Sequence, residues 1–236
     1  MKKLTFSLIS LIFISLVFNS CQPCLDGYGE IADEVRDLES FSKLEVDIAA
    51  DVVVHMGEFP KISIKTHENL LGKIKTKVRG NTLVIKSNQC IGNTDVLQID
   101  LVVTDLNAIS VSGSAVVKTE KQLTADDFDL EVSGSGEIIA DIFSNTLETE
   151  INGSGKIIVS GTTKNLDISI NGSGKVKALG LQAYKTYVQI NGSGDVRINS
   201  KNRLDVEING SGSVKYSGNP KLKTDISGSG EVRKLD

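Results

Sequence analysis

The sequence predicts an all-β chain wound as a parallel β-solenoid, and three observations carry that reading. A short motif, an apolar residue followed by Ser or Asn and then Gly-Ser-Gly, recurs seven times, at residues 111–116, 132–138, 151–157, 170–176, 190–196, 208–214 and 226–232. Marked by their first glycines (Gly113, Gly134, Gly153, Gly172, Gly192, Gly210 and Gly228), the copies step by 21, 19, 19, 20, 18 and 18 residues. Such a period belongs to coils that bury their apolar side only by stacking on their neighbours. Composition agrees, with aromatics at 5%, no Trp and 22 Gly among 236 residues. A core without large rings must be built from Val, Ile and Leu close to tight backbone corners.

The N-terminus reads as a separate object. A positive start at Lys2 and Lys3 precedes an apolar run over residues 4–18, as in a secretory signal peptide spanning residues 1–20. Ser20 directly before Cys21 resembles the lipobox of bacterial lipoproteins, which makes Cys21 the expected lipid anchor. Phe18 and Asn19 depart from the usual residues of that box. Residues 21–37 read as a polar, acidic linker carrying Asp26, Glu30, Asp33 and Glu34, with a short helix over residues 32–38 as the competing reading. An oxidising compartment permits a disulfide between Cys24 and Cys90, although Cys24 lies in the expected linker.

One domain is expected over residues 38–236. Leu44, Val46 and Ile48 alternate with polar residues as in a half-buried strand. Val52 to Val54, Ile62 to Ile64, Leu83 to Ile85 and Leu97 to Val103 read as further strands, broken by turns at Gly57-Glu58-Phe59-Pro60 and Arg79-Gly80-Asn81. Residues 70–78 are ambiguous. This half lacks the glycine motif, so it forms irregular coils or a sheet that caps the regular ones.

In the regular half, runs such as Leu166-Asp-Ile168-Ser-Ile170 place apolar side chains on one face and Asp167, Asp205 and Glu207 in water. The expected corners are Gly113, Gly134, Gly136, Gly153, Gly155, Gly172, Gly174, Gly192, Gly194, Gly210, Gly212, Gly228 and Gly230. Glycine opens backbone angles closed to other residues. Stacking in one direction predicts parallel sheets, with ladders of Asn and Ser side chains along the corner column. In the first copy Ala115 replaces the second glycine, so an irregular transition is expected there. The last six residues carry Glu231, Arg233, Lys234 and Asp236, charges that blunt an open strand edge.

Several chemistries are excluded by spacing. A phosphate-binding loop needs Gly-Lys followed by Ser or Thr, whereas Gly155-Lys156 and Gly174-Lys175 precede Ile157 and Val176. A nucleophile elbow needs glycines two positions from its Ser, and His55 and His67 both precede the regular repeats. The position after the second glycine is too variable for a repeated calcium site. A net charge of −4 from 26 basic and 30 acidic residues argues against a nucleic-acid partner. Acidic clusters at Asp126, Asp127, Asp129 and Glu131 and at Glu148 and Glu150 keep a polysaccharide lyase or hydrolase open as an alternative, with Tyr184 and Tyr187 as the one close aromatic pair. No catalytic residue, cofactor or metal site is assigned, and the histidines read as surface residues.

The train of Ser-Gly-Ser-Gly and Asn-Gly-Ser-Gly copies, the start at Phe41 with Leu44-Glu-Val46, the Leu83-Val-Ile85 strand and the late Val214-Lys-Tyr216-Ser-Gly218-Asn-Pro220 segment resemble the auto-transporter adhesin, head GIN domain family. That resemblance covers residues 41–236. It implies a secreted or lipid-anchored protein of the Bacteroidetes type, in the outer membrane and facing periplasm or surface. The expected function is then non-enzymatic: adhesin-like binding of a surface glycan or protein, or a structural spacer.

Overall fold

The computed structural model describes residues 23–235; the signal segment and Cys21 lie outside the described residues. Strands β1 (Ile31–Asp37), β2 (Lys43–Asp47), β3 (Asp51–Met56) and β4 (Lys61–His67) lead to one helical turn, α1 (Glu68–Leu71). Five strands follow: β5 (Ile74–Arg79), β6 (Thr82–Ser87), β7 (Leu97–Val103), β8 (Ala108–Gly113) and β9 (Val116–Thr119). The regular coils are β10 (Leu123–Gly134), β11 (Glu137–Gly153), β12 (Lys156–Gly172), β13 (Lys175–Gly192) and β14 (Asp195–Gly210). Three strands end the described chain: β15 (Ser213–Ser217), β16 (Lys221–Gly228) and β17 (Glu231–Lys234).

From β8 onward every pairing between coils is parallel, as expected, and each motif copy lies on the one before: Gly134 on Gly113, Gly153 on Gly134, Gly172 on Gly153. Period-two alternation sends Ile151, Ile170, Ile190 and Ile208 into one buried column and Ile157, Val176, Val196 and Val214 into another. Each side chain so buried stabilises the stack by about 1.5–3 kcal/mol relative to exposure.

The two glycines of a motif answer to different constraints. The first turns the chain at positive φ, from 96° at Gly113 to 135° at Gly210, a region closed to most side chains. At Gly172 a Cβ would also sit 2.5 Å from the carbonyl oxygen of Gly153. The second glycine keeps φ negative, but at Gly174 a Cβ would meet Cγ2 of Ile151 at 2.5 Å. Across the corners the backbone ladder continues, with Ser173 N–H donating to Gly153 O (2.9 Å) and Lys175 N–H to Gly155 O (3.0 Å).

The expected side-chain ladder is half realised. Asn171 donates to Asn152 (3.0 Å), Asn191 to Asn171 (3.0 Å) and Asn209 to Asn191 (3.1 Å). The serines between the two glycines engage through their backbone N–H instead. The first copy also departs from expectation, because Gly113 and a fully buried Ala115 close the same hydrogen-bond pattern, accepting from Ser135 and Glu137 at 2.8 Å. Its neighbour beneath turns at residues 47–50 with no residue at positive φ, so this copy stacks on a corner of another shape.

A second bend lies opposite the glycine corners and takes up the variation in repeat length. Gly161 turns at φ 112°, and register shifts fall at Ile158/Gly161 and Ala178/Gln182. Inside this bend Ser144 donates to Thr163 (3.1 Å) and Thr186 to Ser200 (3.1 Å), all four buried. Polar groups at such a site are stable only when paired.

The N-terminal half is a cap. The first coil, β2–β3, lies between β8–β9 on one side and β6 and β7 on the other, all parallel. Antiparallel strands then close the outside: β4 on β7, β1 on β4 and β5 on β6. β5 and β6 are antiparallel because the tight turn at Gly80 that joins them reverses the chain. The ambiguous residues 70–78 resolve into the end of α1 and β5.

The linker expected over residues 21–37 is corrected in its described part. Residues 31–37 form neither tether nor helix but β1, and the Arg36 guanidinium donates to Ile74 O (2.9 Å), Leu71 O (3.2 Å) and Thr76 Oγ1 (3.1 Å). Cys24 and Cys90 form a disulfide, flanked by Leu25 N–H donating to Cys90 O at 2.8 Å. Polar composition hid the strand, since an edge strand with alternating exposure needs few apolar residues.

His55 ties the cap to the coils. Its ring nitrogens meet Glu120 Oε2 (3.0 Å) beyond β9 and Asp100 Oδ1 (3.1 Å) on β7, and those hydrogen bonds, Glu120 first, hold the imidazole above its ordinary pKa. His55 stays partly exposed, but His67 is not the surface residue expected: it is buried, with Nδ1 3.0 Å from Gly29 O.

Gly172→Val should cost on the order of 1–3 kcal/mol through backbone strain alone, and Ser173→Ala far less. Equal shifts of the two melting temperatures would mean that the corner is not packed. A raised folded-state pKa makes the His55 contribution complete below the unfolded value, about 6.5, and lost as pH rises through the folded value. The melting temperature should therefore fall across that window, and His55→Gln should remove the step.

Candidate functional site

Outward side chains of stacked strands form columns, and one pair of columns is strongly acidic. In the first, Asp129, Glu148, Asp167, Tyr187 and Asp205 follow one another from β10 to β14; in the second, Glu131, Glu150, Ser169, Gln189 and Glu207 do so. Parallel register sets successive members about 4.8 Å apart. Between the columns runs a groove of about 350 Å³ lined by Asp129, Glu131, Glu148, Glu150, Asp167 and Tyr187, with Leu130, Thr149, Ile168 and Ser169.

Two of the groove's carboxylates are held by neutral donors. Glu131 accepts from Ser133 (3.1 Å) and Ser110 (3.3 Å), Glu150 from Asn152 (2.8 Å), and Tyr187 donates to Glu207 (3.2 Å) at the groove's end. Among the described residues, no ion pair involves a residue that lines the groove, although Asp205, farther along the first column, pairs with Arg203 (2.7 Å). Burial raises the Asp167 carboxyl pKa, and burial followed by the bond to Glu207 raises that of the Tyr187 phenol. A low-dielectric wall carrying one sign of charge focuses a negative potential. The arrangement suits a cationic or hydroxyl-rich partner lying across the strands, along the stacking axis. No group of three or more His, Cys, Asp or Glu among the described residues is placed to hold a metal.

The structure brings together Asp129, Glu131, Glu148 and Glu150 from the two acidic clusters of the sequence. Asp126 and Asp127 stay outside, Asp126 accepting from Asn145 (2.8 Å). Of the tyrosine pair only Tyr187 lines the groove. Asp167 was recognisable as outward-facing from its alternating run, but its place between Glu148 and Tyr187 depends on inter-coil register, which one strand's pattern does not contain. A second groove, about 450 Å³, lies on the cap between Arg36, Lys75, Lys77, Arg79, Val84 and Lys86. The corner glycines line neither groove.

Comparison with known proteins agrees with this architecture. A solved structure described as "a putative adhesin" from Bacteroides fragilis NCTC 9343 superposes with a TM-score of 0.85 at 22% identity, covering 89% of this chain and 100% of its own. One described as "Putative lipid binding protein" from Parabacteroides distasonis ATCC 8503 gives 0.76 at 25% identity, covering 91% and 100%. Another "putative adhesin" from the same organism gives 0.75 at 20% identity, covering 90% and 100%. No curated protein matches the sequence. The family profile "Putative auto-transporter adhesin, head GIN domain" matches residues 40–220, most of the chain, and the protein belongs to that family.

Proposed function

We propose that this protein is a non-enzymatic, adhesin-like lipoprotein of the bacterial cell envelope, anchored through Cys21, that uses its solenoid as a rigid binding face for a surface protein or glycan. The observation that carries the reading is the acidic groove: five carboxylates from three successive coils on one uninterrupted parallel ladder. Such a ladder costs little reorganisation on binding, which favours affinity for an extended partner. Family membership supports the adhesin-like part.

The anchor is supported by the cap. Its disulfide fixes the chain three residues after Cys21 to the loop between β6 and β7. Lys75, Lys77, Arg79 and Lys86 lie on the strands just before that loop, where cationic side chains favour anionic headgroups. A carbohydrate-active enzyme remains the second reading, favoured by Asp167, whose raised pKa is a property of general acids.

Cys21→Ser should move the protein from the membrane to the soluble fraction, and an unmodified Cys21 in the mass spectrum would refute the anchor. Glu148→Lys with Glu150→Lys should weaken, at least about tenfold, whatever signal the protein gives on glycan and matrix-protein arrays, since each reversal removes a charge contact and adds a repulsion. Unchanged signals would put binding elsewhere. Release of reducing ends from a polysaccharide panel, abolished by Asp167→Asn, would establish the enzyme reading instead.

A further inference from the structure

The two ends of the stack are finished differently. At the cap, antiparallel β1, β4 and β5 cover the parallel strands. At the other end β16 lies on β14 and β17 on β15, and among the described residues nothing pairs with their outer edges. β17 blunts its own edge, because register places Lys234 in the column of Tyr216, and Val214, two residues before Tyr216, is buried. A charge on the inward face opposes further pairing. β16 carries no such guard. Its inward positions, stacked on Leu204, Val206 and Ile208, are Leu222, Thr224 and Ile226, and Leu222 and Ile226 remain 44% and 39% exposed.

We propose that the outer edge of β16 is a self-association surface, pairing antiparallel with β16 of a second copy about a two-fold axis at Thr224. The register follows from the residues. With Thr224 opposite itself, Leu222 faces Ile226 of the other copy on the inward side, and Lys223 faces Asp225 of the other copy on the outward side. Symmetry makes each contact twice. Centring the axis on Leu222 would set Lys221 against Lys223, and centring it on Ile226 would leave Lys223 and Asp225 against serines. Centring it on Lys223 or Asp225 would set that charge against itself, and a register offset by one residue would turn inward positions against outward ones. Opposed charges and apolar cross-strand pairs both favour the first register. The occupant is therefore a second copy of this chain, and the contact extends the core of one solenoid into the other.

Sedimentation velocity on the purified full chain, in detergent if it partitions with membranes, reads the association. The wild-type chain should dimerise at micromolar concentration. Lys223→Asp and Asp225→Lys should each weaken the dimer about tenfold by opposing like charges twice, and the double variant Lys223→Asp/Asp225→Lys should restore it. Thr224→Cys tests the axis independently of stability. Opposed Cα atoms in an antiparallel pair lie about 4.5–5.5 Å apart, within disulfide range, so this variant should cross-link to itself under oxidation and Lys221→Cys should not. A monomeric wild type, a double variant no tighter than the singles, association indifferent to either reversal, or Thr224→Cys cross-linking no better than Lys221→Cys would overturn the proposal.

Discussion

Everything regular in this protein depends on one close approach: the carbonyl oxygen of each corner glycine occupies the space where a Cβ on the next corner would sit. At Gly172 that distance is 2.5 Å from Gly153 O. The same carbonyl accepts the N–H of Ser173, so the contact that forbids a side chain also joins the coils. Positive φ turns the chain there, and the buried isoleucine columns begin and end at that turn. A corner that relaxed would lose the hydrogen bond and the alignment of both apolar columns together.

Fixing one corner leaves the rest of each coil free to vary. The opposite bend absorbs one or two residues by bulging, and the buried Ser and Thr pairs inside it satisfy the polar groups that bulging exposes. The outward columns inherit registry from the corner and not from their own chemistry. Carboxylates therefore stack on carboxylates in the acidic groove although nothing local attracts them. A backbone ladder can hold a column of like charge, since the scaffold supplies the energy that the charges oppose.

Much of this was legible in the sequence because it repeats. Seven copies of one corner announce the solenoid, and alternation within each coil separates Ile168 and Ile170 from Asp167 and Ser169. What repeats least was least legible. β1 looked like linker because an antiparallel edge strand shows only alternating partial exposure, and the partnership of Cys24 with Cys90 spans 66 residues that carry no pattern linking them. The placement of β2–β3 between later strands is a matter of topology, which local alternation does not encode. The groove fell between these cases: its carboxylates were visible one by one, and their assembly required inter-coil register.

The disulfide also decides how the molecule would carry tension. A pull on the chain before Cys24 crosses to Cys90 and enters the stack at the loop leading to β7, so residues 25–89 lie outside the shortest covalent path. The force reaches β7 first, which is held on both edges by β3 and β4. A chain pulled this way loads its cap through β7 and not strand by strand from β1.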